Sequence, residues 1–148
     1  MRLFRMNMYF NVLLAVPVLF ISCKTYQVPV ESFKQQFRGI DSSKLVEVRI
    51  MGPFGEGDSY PANPLKTIRC VDKNNKEYQL PNGPSIEIRF TYDNNKKVIF
   101  YFDRVFVTDS TVTGIRSRFI PSMRKTIPLN SITKIEVQDG QKKYRYVQ

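Results

Sequence analysis

The sequence contains no histidine and no tryptophan, and only two of its 148 residues are cysteine. Without histidine, the chain cannot form a Ser-His-Asp triad, a Cys-His dyad or a histidine-ligated zinc or iron site. Two cysteines are too few for a structural zinc site built from four cysteines, or for a disulfide-rich scaffold. Apolar residues nevertheless make up 42% of the chain, which is enough for a hydrophobic core. The length corresponds to one domain.

The chain also lacks an apolar run long enough to cross a membrane. The run at its N-terminus, Val12–Ile21, is about half the length of roughly 20 residues that a membrane-spanning helix needs. Arg2 and Arg5 precede the run and are the only charged residues before Cys23. A positively charged start followed by a short apolar run is typical of a secretory signal peptide. The alternative is a buried helix, but Pro17 within the run argues against a regular helix.

A more specific pattern ends this run. Phe20-Ile21-Ser22-Cys23 resembles the lipobox of bacterial lipoproteins, in which an apolar residue and two small residues precede a cysteine. Ser22 and Cys23 match the motif, whereas Phe20 and Ile21 differ from its commonest residues. The resemblance implies that the Cys23 sulfur receives a diacylglycerol and that a signal peptidase cleaves between Ser22 and Cys23. The new amine would then be acylated. The resemblance is confined to the start of the chain and names no family for the domain that follows.

The resemblance also implies an organisation and a location. One acyl chain binds a membrane only marginally, whereas two or more make the attachment effectively permanent. We therefore predict a signal peptide at residues 1–22, a lipidated N-terminus and tether at residues 23–28, and a single domain at residues 29–148. A disulfide between Cys23 and Cys70 is the alternative use of Cys23. Because Lys24 follows Cys23 without a run of acidic residues, similarity to lipoprotein sorting rules favours the outer membrane, facing the periplasm.

The positive charge is concentrated near the C-terminus. The whole chain has a net charge of +10, and residues 23–148, with 21 basic and 13 acidic residues, have +8. Residues 116–148 hold eight basic residues and two acidic ones. The candidate anion-binding residues among them are Arg116, Arg118, Arg124, Lys125, Lys143 and Arg145. On a strand, Arg116 and Arg118 would share one face, and so would Lys143 and Arg145.

This charge points to an anionic partner, but not to nucleic acid, because an exported protein rarely meets DNA or RNA. The candidate partners are anionic lipid headgroups, lipopolysaccharide phosphates, acidic glycans of the cell wall and an acidic protein surface. A solvated, solubilising face is the alternative.

The pattern of apolar residues changes along the rest of the chain. Residues 29–39 predict a short helix that begins at Pro29, ends at Gly39 and presents Val30, Phe33 and Phe37 on one face. Beyond Gly39, apolar residues alternate with polar ones, as they do in strands. Three hairpins are predicted, at 66–80, 85–103 and 104–120, and further strands at 44–51, 131–138 and 142–147. Residues 52–64 predict a loop, and the apolar segment 98–102 a central strand.

These patterns predict a mainly β protein: an antiparallel sandwich or small barrel of about eight strands, with one short N-terminal helix. We expect Cys70 to be a buried, inert thiol. The aromatic residues between Phe90 and Phe106 should pack in the core, although Tyr92 and Tyr101 are candidates for an exposed platform for sugar rings. We expect no cofactor or metal.

The function predicted from the sequence is a lipid-anchored, non-enzymatic binding module of the cell envelope, or a structural subunit of a membrane assembly. The alternative is a carboxylate-dependent hydrolase of an envelope glycan, which needs two acidic side chains that converge in a cleft.

Overall fold

The structure is a computed structural model that describes residues 23–148. The predicted signal peptide at residues 1–22, with Ser22 at its cleavage site, lies outside the described residues. Within residues 23–148, no helix combines the length and the apolar character needed to cross a membrane.

The described residues form one α-helix, twelve β-strands and three short 3-10 turns. The helix α1 spans Val30–Phe37, and the 3-10 turns span Ser42–Lys44, Phe102–Arg104 and Leu129–Ser131. The strands are β1 (Thr25–Gln27), β2 (Val46–Met51), β3 (Gly57–Ala62), β4 (Thr67–Val71), β5 (Glu77–Pro81), β6 (Ile86–Tyr92), β7 (Lys96–Tyr101), β8 (Phe106–Val107), β9 (Thr111–Ile115), β10 (Arg124–Pro128), β11 (Ile132–Asp139) and β12 (Arg145–Val147).

The strands pair in antiparallel fashion within three sheets. The largest sheet has the order β5-β4-β1-β11-β6-β7, and the two smaller sheets have the orders β10-β9-β8 and β12-β2-β3. The predicted mainly β, antiparallel fold is therefore confirmed. Within the described part of the chain, the six-stranded sheet is open and ends in β5 and β7, which is consistent with a sandwich and not with the predicted alternative of a closed barrel.

Helix α1 covers part of the inner face of the six-stranded sheet. Pro29 caps its start, and Gly39 follows its end with a φ of 74°, a conformation that glycine adopts at little cost. Phe33 and Phe37 are buried, and the Phe33 ring lies 5.4 Å from the Phe90 ring on β6. Burial of each such aromatic side chain contributes about 1.5–3 kcal/mol. The predicted helix and its apolar face are confirmed.

The sheet β10-β9-β8 packs on the same core. Phe100 on β7 is buried, and a Cβ atom added to Gly114 on β9 would lie 2.2 Å from its ring. Glycine at position 114 therefore allows β9 to pass directly over the aromatic ring. Val112 and Ile127 complete this contact from β9 and β10.

The predicted tether is wrong, because most of residues 23–28 belongs to the fold. Thr25–Gln27 forms β1, which lies between β4 and β11 in the six-stranded sheet. Tyr26 is buried, and its ring stacks on that of Tyr78 at 4.7 Å. The domain therefore begins two residues after Cys23.

Two further predictions need correction. The predicted loop at residues 52–64 contains β3, whose Pro61 is tolerated because β3 is an edge strand of its sheet. The predicted central strand, 98–102, is instead the edge strand β7, which ends at Tyr101. The apolar run extends to Phe102 because the chain enters a buried 3-10 turn there, and not because both faces of the strand are covered by neighbouring strands.

Candidate functional site

A largely buried cluster of charged and aromatic side chains joins the three sheets, with Tyr146 at its exposed edge. We call it the Arg118 cluster, and its members are Tyr60 on β3, Tyr101 on β7, Asp103 in the following 3-10 turn, Arg118 in the β9–β10 loop and Tyr146 on β12. Asp103 is fully buried, and Arg118 is 6% exposed. Charged groups are rarely buried to this extent unless they are paired, so the partners of these two residues are informative.

The Asp103 carboxylate accepts hydrogen bonds from three side chains. Its Oδ1 atom accepts from Arg118 Nη2 at 3.0 Å. Its Oδ2 atom accepts from Tyr60 Oη at 2.5 Å and from Tyr146 Oη at 3.0 Å. Both carboxylate oxygens are thus occupied by groups of the protein itself.

Arg118 is held by charge, hydrogen bonds and aromatic rings. Its Nη1 atom donates to Tyr60 Oη at 2.6 Å, and its Nη2 atom also donates to the carbonyl oxygen of Pro84. The guanidinium carbon lies 4.0 Å from the centre of the Tyr101 ring, within the range of cation–π attraction. These contacts offset the cost of removing the guanidinium from water, which amounts to several kcal/mol for a buried ion.

Tyr60 and Tyr146 remain protonated at neutral pH. Burial, followed by the neighbouring Asp103 carboxylate, raises the pKa of Tyr60 and of Tyr146 well above the ordinary value for tyrosine. Burial also lowers the pKa of Arg104, whose guanidinium carbon lies 4.5 Å from the centre of the Tyr60 ring. The tyrosines therefore act as hydrogen-bond donors to Asp103, and the arrangement is suited to joining segments of the fold.

The predicted anion-binding residues differ in their exposure. Arg118 is buried, so its prediction as part of an exposed basic surface is wrong. Strand β9 ends at Ile115, and the chain then forms a loop in which the Arg116 amide donates to the Met123 carbonyl at 2.9 Å. This loop brings Arg118 to Asp103 and Tyr60, which are distant in sequence. Lys125 is half-buried. The remaining members are exposed: Arg116, Arg124, Lys143 and Arg145.

The same loop exposes apolar side chains that the charge pattern did not reveal. Phe119 is 72% exposed, and Ile120 and Met123 are also exposed. The Phe119 ring lies 6.3 Å from the Tyr144 ring, which brings the loop next to the C-terminal segment. The sequence signal is the apolar pair Phe119-Ile120, which follows two arginines and precedes a proline. The hairpin predicted at 104–120 places this pair in a strand, whereas the structure places it in a loop.

Cys23 lies at the same end of the molecule as this loop. Thr25, which starts β1, pairs with Gln138 on β11, and Gln138 pairs with Glu87 on β6. Glu87 in turn pairs with Tyr101 on β7, whose ring contacts Arg118. The row from β1 to β7 spans three strand spacings, or about 14 Å.

Lys142 reinforces this end of the sheet. Its ammonium nitrogen donates to Glu87 Oε1 at 2.5 Å and to Tyr101 Oη at 2.8 Å. Burial lowers the pKa of Lys142, but the hydrogen bonds to Glu87 and Tyr101 outweigh that effect, and the net shift is upward. The C-terminal segment is thereby attached to the outer side of β6 and β7.

The two cysteines differ in environment. Cys23 is exposed, Cys70 is buried, and neither takes part in a disulfide in the structure. Burial raises the pKa of the Cys70 thiol, which makes it a poorer nucleophile. The predicted burial of Cys70 is confirmed. Tyr92 and Tyr101 are buried as well, so the suggestion that they form an exposed platform is wrong.

An apolar groove of about 690 Å³ lies between the end of α1 and β8. Phe37, Leu45 and Val107 line it, together with the carboxylates of Asp41 and Asp109. Hydrogen bonds from the side chain and the amide of Ser43 lower the pKa of Asp41, whereas a general acid needs a raised pKa. Over residues 23–148, no group of three or more cysteine, aspartate or glutamate side chains is placed to hold a metal ion.

The chain was compared with known proteins. No protein-family model matches it, and neither the curated proteins nor the solved structures contain a significant match.

Proposed function

We propose that this protein is a lipid-anchored, non-enzymatic module of the bacterial envelope, attached through Cys23, whose basic surface binds an anionic partner. The sequence support is the lipobox-like segment that ends at Cys23, together with the positive charge of residues 116–148. The favoured location is the periplasmic face of the outer membrane.

The observation that carries the proposal is the position of Cys23. Its side chain is exposed, so its sulfur is accessible for modification. Only Lys24 separates it from β1, a strand in the interior of the six-stranded sheet. A lipid on Cys23 would therefore hold the domain directly against the membrane, because two residues extend at most about 7 Å.

The state of the ionisable side chains supports a binding role. Asp103, the fully buried carboxylate, accepts hydrogen bonds from Arg118 and two tyrosines, so both of its oxygens are occupied by the protein itself. The exposed Arg116, Arg124 and Lys143 can instead form charge-assisted hydrogen bonds with phosphate or carboxylate groups.

The experiment is metabolic labelling with an alkyne-tagged fatty acid in a bacterial host, followed by fractionation. We expect the wild-type protein to be labelled and to be found in the membrane fraction. Cys23→Ser should abolish the label, because the thioether cannot form. Cys70→Ser is the matched control and should be labelled like the wild type, since Cys70 is buried in the core. Label that persists in Cys23→Ser, or is absent from the wild type, would refute the anchor.

A further inference from the structure

One end of the molecule combines exposed apolar side chains with basic ones. We call this region the Phe119 surface and define it by Phe119, Ile120 and Met123 together with Arg116, Arg124 and Lys143. Phe119 is 72% exposed and is followed by the exposed Ile120 and Met123, and contiguous exposed apolar side chains are typical of interaction sites. Lys143 belongs to this surface because it precedes Tyr144, which lies beside the Phe119 ring.

A second exposed aromatic residue approaches the same region. Phe54 is 93% exposed in the loop that joins β2 to β3. That loop follows Met51, which pairs with Arg145 next to Tyr144. The Glu56 carboxylate in this loop accepts a hydrogen bond from the backbone amide of Phe54 at 2.9 Å.

The composition of the surface suits a phospholipid headgroup region. Aromatic and aliphatic side chains enter the boundary between headgroups and acyl chains, while arginine and lysine extend their charged ends to the phosphates. Residues 116–124 contain three arginines and no acidic residue. Since Arg118 is neutralised internally by Asp103, the charge presented to a partner comes from Arg116 and Arg124, with Lys143 beside them.

The position of Cys23 selects the membrane over other anionic partners. Four residues pair in a row across the sheet, from β1 to β7: Thr25, Gln138, Glu87 and Tyr101. Cys23 lies two residues before Thr25, at one end of this row. At the other end, the Tyr101 ring contacts Arg118. The Phe119 surface thus begins about 14 Å across the sheet from the start of β1. A lipid on Cys23 would keep this surface at the bilayer, at an effective concentration in the millimolar range, so that even weak contacts are made.

We propose that the Phe119 surface is a second membrane contact, in which Phe119 and Ile120 enter a phospholipid leaflet and Arg116, Arg124 and Lys143 bind its anionic headgroups. This inference rests on the proposed anchor at Cys23 for its orientation. The domain would then lie on the membrane in one fixed orientation, with helix α1 and the apolar groove left free for other partners.

The absence of tryptophan makes the test direct, because one introduced tryptophan is the only indole in the chain. Phe119→Trp would be prepared as the full-length protein, reconstituted into vesicles that contain phosphatidylglycerol, and quenched with brominated phospholipids. Val46→Trp is the matched control: Val46 is also exposed, but it lies at the other end of β2, about 17 Å from Met51. We expect blue-shifted, strongly quenched emission from Phe119→Trp, and water-like emission from Val46→Trp.

A second set of variants tests whether the basic residues of the Phe119 surface contribute to membrane binding. In the Phe119→Trp background, replacing Arg116 and Lys143 with glutamine should lower the ratio of docked to undocked protein by about fivefold for each charge removed. Replacing Lys96 and Lys97, which are exposed at the opposite end of the six-stranded sheet, removes the same number of charges and should leave the ratio unchanged. Added salt should lower the ratio of docked to undocked protein in the same way as the replacement of Arg116 and Lys143, because it screens the same charges.

The two proposals fail in different ways. The mass of the purified protein shows whether Cys23 carries lipid, independently of the fluorescence. A lipidated protein whose Phe119→Trp emission equals that of Val46→Trp would overturn the second membrane contact and leave the anchor intact. A protein without lipid that is still quenched on phosphatidylglycerol vesicles would support the contact and refute the anchor. A blue shift of the Phe119→Trp emission on lipopolysaccharide alone, with none on phospholipid vesicles, would also overturn the proposal.

Discussion

Replacement of Arg118 with methionine tests whether the Arg118 cluster holds the three sheets together. Methionine keeps much of the length and apolar volume of the side chain but removes the guanidinium. The fully buried Asp103 carboxylate would then retain its two tyrosine donors and lose its only cation among the described contacts. The Pro84 carbonyl and the Tyr101 ring would lose their contacts with the guanidinium as well.

The expected loss is large relative to the stability of a single domain. Removing one partner of a buried ion pair costs about 3–5 kcal/mol, because the remaining charge stays buried without compensation. A domain of this size has an unfolding free energy of about 5–15 kcal/mol. The double variant Asp103→Asn with Arg118→Met removes both charges, so it should lose less stability than Arg118→Met alone.

The assay is urea unfolding followed by circular dichroism, with the midpoint and the slope both recorded. Arg116→Met is the matched control, since Arg116 lies in the same loop but is exposed, and its effect should stay within about 0.5 kcal/mol. The reasoning would be refuted if Arg118→Met cost less than about 1 kcal/mol, or if the double variant were less stable than the single one.

Three further predictions concern the interior. Because the pKa of Tyr60 is raised in the folded state, its contribution to stability should be complete below pH 10.0 and decline above it, as the unfolded chain alone loses the proton. In Tyr60→Phe, urea unfolding at stepped pH should show a shallower alkaline decline; an unchanged decline would contradict this. Gly114→Ala should cost about 1–3 kcal/mol by collision with Phe100, whereas Gly83→Ala, with open space around it, should have little effect in the same assay. Cys70 should react with a thiol reagent only as fast as the protein unfolds; rapid reaction of the native protein would show that it is accessible.

Local features of this fold could be predicted from the sequence because they depend on neighbouring residues. The limits of α1 follow from Pro29 and Gly39. Two hairpins follow from their asparagines: Asn75 and Asn94 adopt φ angles of 58° and 57°, a left-handed conformation that asparagine tolerates better than most residues. Apolar and polar residues alternate along β6 from Ile86 to Phe90, and the apolar Ile86, Ile88 and Phe90 are buried.

Features that depend on distant partners could not be predicted in this way. Arg118 resembles its exposed neighbours in sequence. Only the positions of Asp103 and the tyrosines, brought together from two sheets and a 3-10 turn, explain its burial. Strand β1 has only three residues, and its place between β4 and β11 depends on pairing with segments more than 40 residues away. The proposed membrane contact likewise depends on the register of the six-stranded sheet, which places the start of β1 and the ring of Tyr101 in one row across the strands.

The most direct test of the central claim is the mass of the mature protein, purified from a bacterial membrane in detergent. We predict a chain that begins at Cys23 and carries a diacylglyceryl group on the sulfur and an acyl group on the amine. The N-terminal peptide should hold all of the added mass. A mature chain that begins elsewhere, or an unmodified Cys23 at its start, would contradict the lipid anchor and with it the orientation proposed for the domain.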